Sequence, residues 1–262
     1  MANVAKGMHQ QSKAERERFE SELDRILTAS TEAGLILRVI GSLAFQMRCS
    51  QYGYLQEAMG RAYTDIDLAA YGYQASGIKG LMESLGYVEN REVFMLSGGD
   101  RSIFDDHSTG LYVDVFYDKL DFCHVIHWEG RLEVDSLTIP LAELLLEKMQ
   151  IVKINEKDVI DTIMLLLEHP LGSNDDETIN MDRVASLCAD DWGLWRTTTE
   201  NLRKVGTLAQ GYPQLSKEEK SHVATQVDKA LQRIADEPKP LAWRLRARVG
   251  DRVKWYKEVD EV

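Results

Sequence analysis

Cysteine is scarce in this chain. Cys49, Cys123 and Cys188 are odd in number and far apart, which excludes a disulfide frame and offers no zinc-ligand spacing. No apolar run approaches the roughly 20 residues that a membrane span needs. Met1 to Glu20 lacks the apolar stretch of a secretory leader, so a soluble, cytoplasmic protein without membrane partners is expected. There is no internal repeat and no low-complexity tract. Positive charge is also short: 31 Lys and Arg stand against 43 Asp and Glu, a formal net charge of −12. Such a balance argues against broad binding of a phosphate backbone, which ordinarily uses a basic footprint. The deficit is uneven, because residues 180–262 hold 15 basic and 13 acidic side chains.

What remains is globular. Hydrophobic residues make up 44% and charged residues 28% of 262, enough for one large or two modest cores. Phe19, Leu23, Ile26 and Leu27 recur at helical spacing between Glu15 and Ala33. A short apolar strand, Leu35 to Ile40, ends in Gly41-Ser42 and is followed by a helical run from Ser42. Ala75 to Leu85 reads as a helix closed by Gly86. Glu92–Leu96, the Ser97-Gly98-Gly99-Asp100 turn, Arg101–Phe104 and a strand around residue 114 read as a β-meander. From Leu141 onward the pattern is helical, with Pro140 placed to start it. The polar stretch Gly172–Glu177 reads as a linker. The expected fold class is α/β (α+β): a mixed sheet flanked by helices, then a helical C-terminal domain. The division falls into 1–170, including the N-terminal helix and the helices of 141–168, and 178–262.

Three carboxylates stand out against this background. Asp65 and Asp67 lie in Tyr63-Thr64-Asp65-Ile66-Asp67-Leu68, and Asp114 lies in Leu111-Tyr112-Val113-Asp114-Val115-Phe116. Residues i and i+2 of a strand share a face, so Asp65 and Asp67 point together while Ile66 and Leu68 face the core. Two such strands side by side gather like charges that repel unless a cation joins them. Hard divalent ions with oxygen ligands, Mg²⁺ above all, answer that need. The Gly41-Ser42 turn supplies the complement: glycine admits close backbone approach, and the helix start presents free N–H groups to phosphate.

With these motifs the chain resembles the nucleotidyltransferase superfamily, whose fold is shared with DNA polymerase β. Within it, the abortive-infection (AbiEii-type) toxins and related bacterial nucleotidyltransferases are the most similar. The resemblance covers roughly residues 35 to 168. It rests on the Gly-Ser turn, the Asp-x-Asp pair with its approach Arg61-Ala62-Tyr63-Thr64, and the third strand carboxylate. It also uses Glu147-Lys148 and Lys157-Asp158-Val159-Ile160-Asp161. The spacer from Ser42 to Asp65 is longer than in minimal members.

The resemblance implies transfer of a nucleoside monophosphate from a triphosphate to an acceptor hydroxyl, with release of pyrophosphate. Asp65, Asp67 and Asp114 would hold two Mg²⁺ ions, with Mn²⁺ as a substitute. Gly41 and Ser42 would seat the phosphates, and Lys148 would meet the triphosphate. Lys157, Asp158 and Asp161 would complete the nucleotide site, although Lys148 also suits a surface pair with Glu143 or Glu147, and Asp158 and Asp161 suit helix capping. The toxin-type relatives imply a tRNA 3′ end as acceptor and a partner antitoxin protein. A small-molecule acceptor, such as an aminoglycoside or lincosamide antibiotic, is the alternative. A nucleotide-binding regulator without turnover is a third reading.

Secondary signals are weaker. His124 and His127, at i and i+3 in a strand, face opposite sides and do not form a shared ligand pair. Trp192 and Trp195 suit core anchors of the helical domain. Arg244, Arg248 and Arg252 form a helical stripe near Trp243, Trp255 and Tyr256. Such a stripe suits RNA contact or, alternatively, a solvated helix whose aromatics pack inward.

Overall fold

The computed structural model describes residues 2–58 and 64–259, with side chains from Arg16 onward. Arg61, Ala62 and Tyr63 of the approach motif therefore lie outside the described residues. In chain order the first elements are α1 (Ala2–Glu32), β1 (Arg38–Ile40), α2 (Gly41–Arg48), α3 (Tyr54–Ala58) and β2 (Ile66–Ala70). Then come α4 (Ala75–Ser84), β3 (Val88–Glu89), α5 (Arg91–Leu96), β4 (Arg101–Asp106) and β5 (Leu111–Tyr117). Two short strands, β6 (Lys119–Asp121) and β7 (Val125–His127), precede α6 (Leu141–Met149) and α7 (Glu156–Glu168). The remainder is β8 (Leu171–Gly172), β9 (Ile179–Asn180), α8 (Met181–Asp190), α9 (Trp192–Ala209), α10 (Lys217–Asp236) and α11 (Leu241–Val249). This is a mixed α/β chain, and no described helix is long and apolar enough to cross a membrane.

Two compact units divide the chain. One comprises 1–47, 57–119 and 127–139; the other comprises 48–56, 120–126 and 140–262. The division thus assigns α6 and α7 to the same unit as the C-terminal helices, and does not fall at 171–177.

The first unit is built on a five-stranded sheet of order β1-β2-β5-β4-β3. β2 and β5 are parallel neighbours, and β1 and β4 flank them antiparallel. Ile66, Leu68, Val113 and Val115 are fully buried on one face, each contributing roughly 1.5–3 kcal/mol. Slipping either strand by one residue would turn its aspartates into that core, so the alternation pins the register. Phe19, Leu23 and Ile26 of α1 are buried as their spacing predicts.

Residues 92–96 are not a strand. Asn90 caps α5, its side chain accepting from the Val93 N–H, and Met95 and Leu96 are exposed. The apolar alternation there reflects no buried face, so cap chemistry decides. Gly98 and Gly99, at φ +67° and +90°, turn the chain from α5 into β4 instead of closing a hairpin.

The second unit is helical. α6 is buried along its whole length, Glu143, Glu147 and Lys148 included, so Lys148 is not a surface lysine. Asn155 and Asp158 form a capping box on α7, and Ser216 and Glu219 one on α10. The stretch 172–177 is not an open linker between domains: it lies within this unit, and its flanks pair as parallel β8 and β9. α11 stops at Val249, where Gly250 takes φ +58°, so Arg252 leaves the stripe of Arg244 and Arg248.

Candidate active site

The pairing of β2 with β5 places Asp67 directly beside Asp114. In parallel strands register partners point to the same face, roughly 4.8 Å apart along the sheet. The pairing of Ile66 with Val113 carries Asp65, one residue before β2, toward Tyr112. The Tyr112 hydroxyl donates to Asp65 Oδ2 at 3.2 Å, and Thr64 Oγ1 donates to Oδ1 at 3.0 Å. The sheet therefore brings Asp65, Asp67 and Asp114 to one face.

On the other side of β2, Ile40 of β1 pairs with Asp67, so the chain turns into α2 against that carboxylate. Gly41 takes φ +68°, and a β-carbon on it would stand 2.3 Å from Asp67 Oδ2. Both facts demand glycine. Ser42 follows in the first turn of α2 and is partly buried.

Asp114 is 3% exposed, and Arg101 of β4 meets it. Arg101 Nε lies 2.9 Å from both Oδ1 and Oδ2, and Nη2 also donates to Oδ2. Arg101 pairs across the ladder with Phe116, and its guanidinium lies 5.1 Å from the centre of that ring. Burial pushes the Asp114 carboxyl above its ordinary range, Arg101 pulls it back down, and Asp65 adds to the rise. Arg101 is itself raised, first by its hydrogen bonds to Asp114 and also by the charges of Asp67 and Asp65. Tyr112 is raised by burial and then by Asp65. The groups thus sense one another, as a converging set must.

The donor set matches a hard divalent ion in chemistry, being carboxylate oxygen throughout. Asp65 and Asp67 are only partly buried. Among the described residues, however, no group of three or more Asp, Glu, His or Cys side chains is arranged as a metal site. Arg101 uses both oxygens of Asp114.

Lys148, Asp158 and Asp161 gather in the second unit. Lys148 Nζ lies 2.9 Å from Glu147, 3.8 Å from Asp158 and 3.5 Å from Asp161. Asp161, fully buried, also accepts from Gln56 Nε2 at 2.8 Å. Asp158 has a second task in the α7 capping box, while Lys157 is exposed. His124 is buried with Nε2 2.9 Å from Thr197 Oγ1, whereas His127 is exposed.

The aromatics of the C-terminal segment pack inward. Trp243 lies edge-on to Trp195 and Trp255 edge-on to Trp192, with centroids 5.1 and 6.1 Å apart. Trp243 Nε1 donates to the Cys188 carbonyl, and Arg246 lies over Trp192 at 4.3 Å. Arg244 and Arg248 remain exposed.

Sequence reasoning missed Arg101 and Tyr112. Tyr112 was within reach, since it lies two residues before Asp114 on the same strand face. Arg101 had no local signal. Comparisons with protein-family models, curated proteins and solved structures find no match to this chain.

Proposed function

We propose that the sheet face of the first unit is a nucleotidyl-transfer site, moving a nucleoside monophosphate from a triphosphate to an acceptor hydroxyl. One observation carries the reading. Asp67 and Asp114 stand side by side on parallel strands, with the Gly41 turn pressed against Asp67. A bound divalent cation pair would supply charge neutralisation at the attacking and leaving oxygens.

Asp65 and Asp67 would hold the cations, joined by Asp114 once Arg101 is drawn away. The backbone start of α2, with the Ser42 hydroxyl, would bind the terminal phosphate oxygens. Asp114 would accept the hydrogen bond, and then the proton, of the acceptor hydroxyl. As the acceptor oxygen bonds to the α-phosphorus, the bond to the bridging oxygen breaks and pyrophosphate leaves. Positioning and electrostatics do most of the work in such a transfer. Lys148 is a weaker candidate for the triphosphate, because three carboxylates of its own unit already compete for its charge.

The acceptor in this reading is an RNA 3′ end, and the exposed pair Arg244 and Arg248 offers positive charge for RNA contact. A small cationic acceptor is the second reading. The inward packing of Trp243 and Trp255 favours it, since those rings are committed to their neighbours and not presented for base stacking. Incubation of the chain with labelled triphosphates, Mg²⁺, and either tRNA or an aminoglycoside tests both readings. Label should move to one acceptor and fail to move with Asp67→Asn. Triphosphate binding without pyrophosphate release from either mixture would leave a non-catalytic regulator instead.

A further inference from the structure

α11 is fastened by one face and bare on the other. Inward, Trp243 meets Trp195 and donates to the Cys188 carbonyl, and Arg246 lies over Trp192. Outward, Leu241, Leu245 and Val249 recur at every fourth residue and are 65%, 50% and 40% exposed. Residues four apart stack in one row of a helix, and residues three apart stand in the neighbouring row. Arg244 and Arg248, both exposed, therefore form a basic row beside the apolar one. Single exposed apolar side chains are ordinary, but the outward side of a surface helix is normally polar. A row of three beside a charged row has the layout of an interaction surface, an apolar centre with a polar edge.

We infer that this face docks an amphipathic helix of another protein, one that sets apolar side chains on the leucine row and carboxylates on the arginine row. Charge selects that occupant. α11 has no acidic residue, and the acids flanking it are engaged: Glu237 by Arg233, Asp251 by Arg196 and Glu258 by Lys254, at 2.6, 3.2 and 2.7 Å. The counter-charge for Arg244 and Arg248 therefore falls to the occupant. A second copy would bring the same two arginines to the seam and no carboxylate from its own α11. A bilayer is disfavoured because Trp243, the side chain suited to a headgroup layer, is turned inward, and the net charge of −12 opposes an anionic surface. An RNA end could use Arg244 and Arg248 but would leave the apolar row bare. A helix covers both rows, because its own side chains repeat at the same spacing and interlock with them. The inference goes beyond the transfer reaction and does not depend on it.

The test is fluorescence anisotropy of the full chain with two labelled synthetic helices of about 18 residues. Both carry leucines along one face; one has glutamate in the adjoining row, the other lysine. The glutamate peptide should bind roughly tenfold more tightly than the lysine peptide. Arg244→Glu combined with Arg248→Glu should reverse that order, which a loss of folding would not do. Leu245→Ser should weaken the preferred peptide roughly tenfold at an unchanged thermal midpoint. Leu241→Ser, the most exposed of the three, repeats the measurement should Leu245→Ser unsettle the fold. Equal affinity for both peptides, or binding of neither, overturns the inference. So does peptide binding that survives both the leucine change and the paired charge reversal. Binding of phosphatidylserine vesicles or of tRNA through these residues, without peptide binding, would replace the partner helix with a membrane or an RNA. Self-association that is lost in Leu245→Ser, again without peptide binding, would replace it with a second copy.

Discussion

Gly41 and Asp67 share a space that admits no β-carbon. The turn residue has φ +68°, and an added methyl would stand 2.3 Å from Asp67 Oδ2. Gly41→Ala therefore strains the backbone by about 1–2 kcal/mol and also pushes the carboxylate aside. We expect stability to fall by at least that amount in urea titration. If the proposed transfer takes place here, its rate should fall further, on the order of 100-fold, because a displaced carboxylate would be felt at the reacting atoms. Equal losses in the two measurements would show that Asp67 is not positioned by this turn.

Lys148 sits among Glu147, Asp158 and Asp161, with side chains no more than 13% exposed. Removing its charge leaves buried carboxylates facing one another. Lys148→Ala is expected to cost roughly 3–5 kcal/mol of stability in equilibrium unfolding. A cost below about 1 kcal/mol would mean that the lysine is free to serve a ligand instead.

Burial lowers the His124 pKa below its ordinary value, with Asp191 opposing weakly. The folded state then binds this proton less readily than the unfolded chain does. Its contribution to stability is complete above the unfolded value, about 6.5, and is lost as pH falls through the folded one. Thermal midpoints should decline from neutral pH toward pH ~5, and His124→Gln should flatten that decline. An unchanged slope would place the acid sensitivity elsewhere.

Arg244 and Arg246 are two residues apart and should behave oppositely. Arg246 lies on Trp192 and donates to the carbonyls of Gly250 and Val253 at 2.8 and 2.9 Å. Arg246→Ala should cost about 2 kcal/mol. Arg244→Glu, on the exposed side, should leave stability within about 0.5 kcal/mol. If the acceptor is RNA, Arg244→Glu should nonetheless weaken its binding and reduce the salt dependence of that binding. Intact RNA binding in Arg244→Glu combined with Arg248→Glu would remove that face from the acceptor path.

The legible parts of the fold were those where burial and alternation coincide. Ile66, Leu68, Val113 and Val115 wrote β2 and β5 into the sequence, and the alternation put Asp67 and Asp114 on the opposite sheet face. The glycine at 41 was legible as well, because a strand ending in Gly-Ser admits few continuations. Residues 92–96 misled for the opposite reason: Val93, Phe94 and Met95 carry apolar character without a buried face, and a single Asn90 cap turns them helical. Arg101 was invisible because its partner, thirteen positions away, is chosen by strand register, which the intervening sequence does not spell out. Burial of Lys148 was equally hidden, since α6 is enclosed all round and not along one stripe.

Because Asp67 and Asp114 face each other across one rung of the β2–β5 ladder, no loop holds them together. Their separation is a property of the backbone mesh, and it persists for as long as β2 and β5 stay zipped. Amides of these two residues should thus exchange with deuterium only through the deepest opening of the first unit, whereas Thr64 and Asp65, just outside β2, can fray without disturbing them. Erosion of this centre would be abrupt, a melting and not a drift.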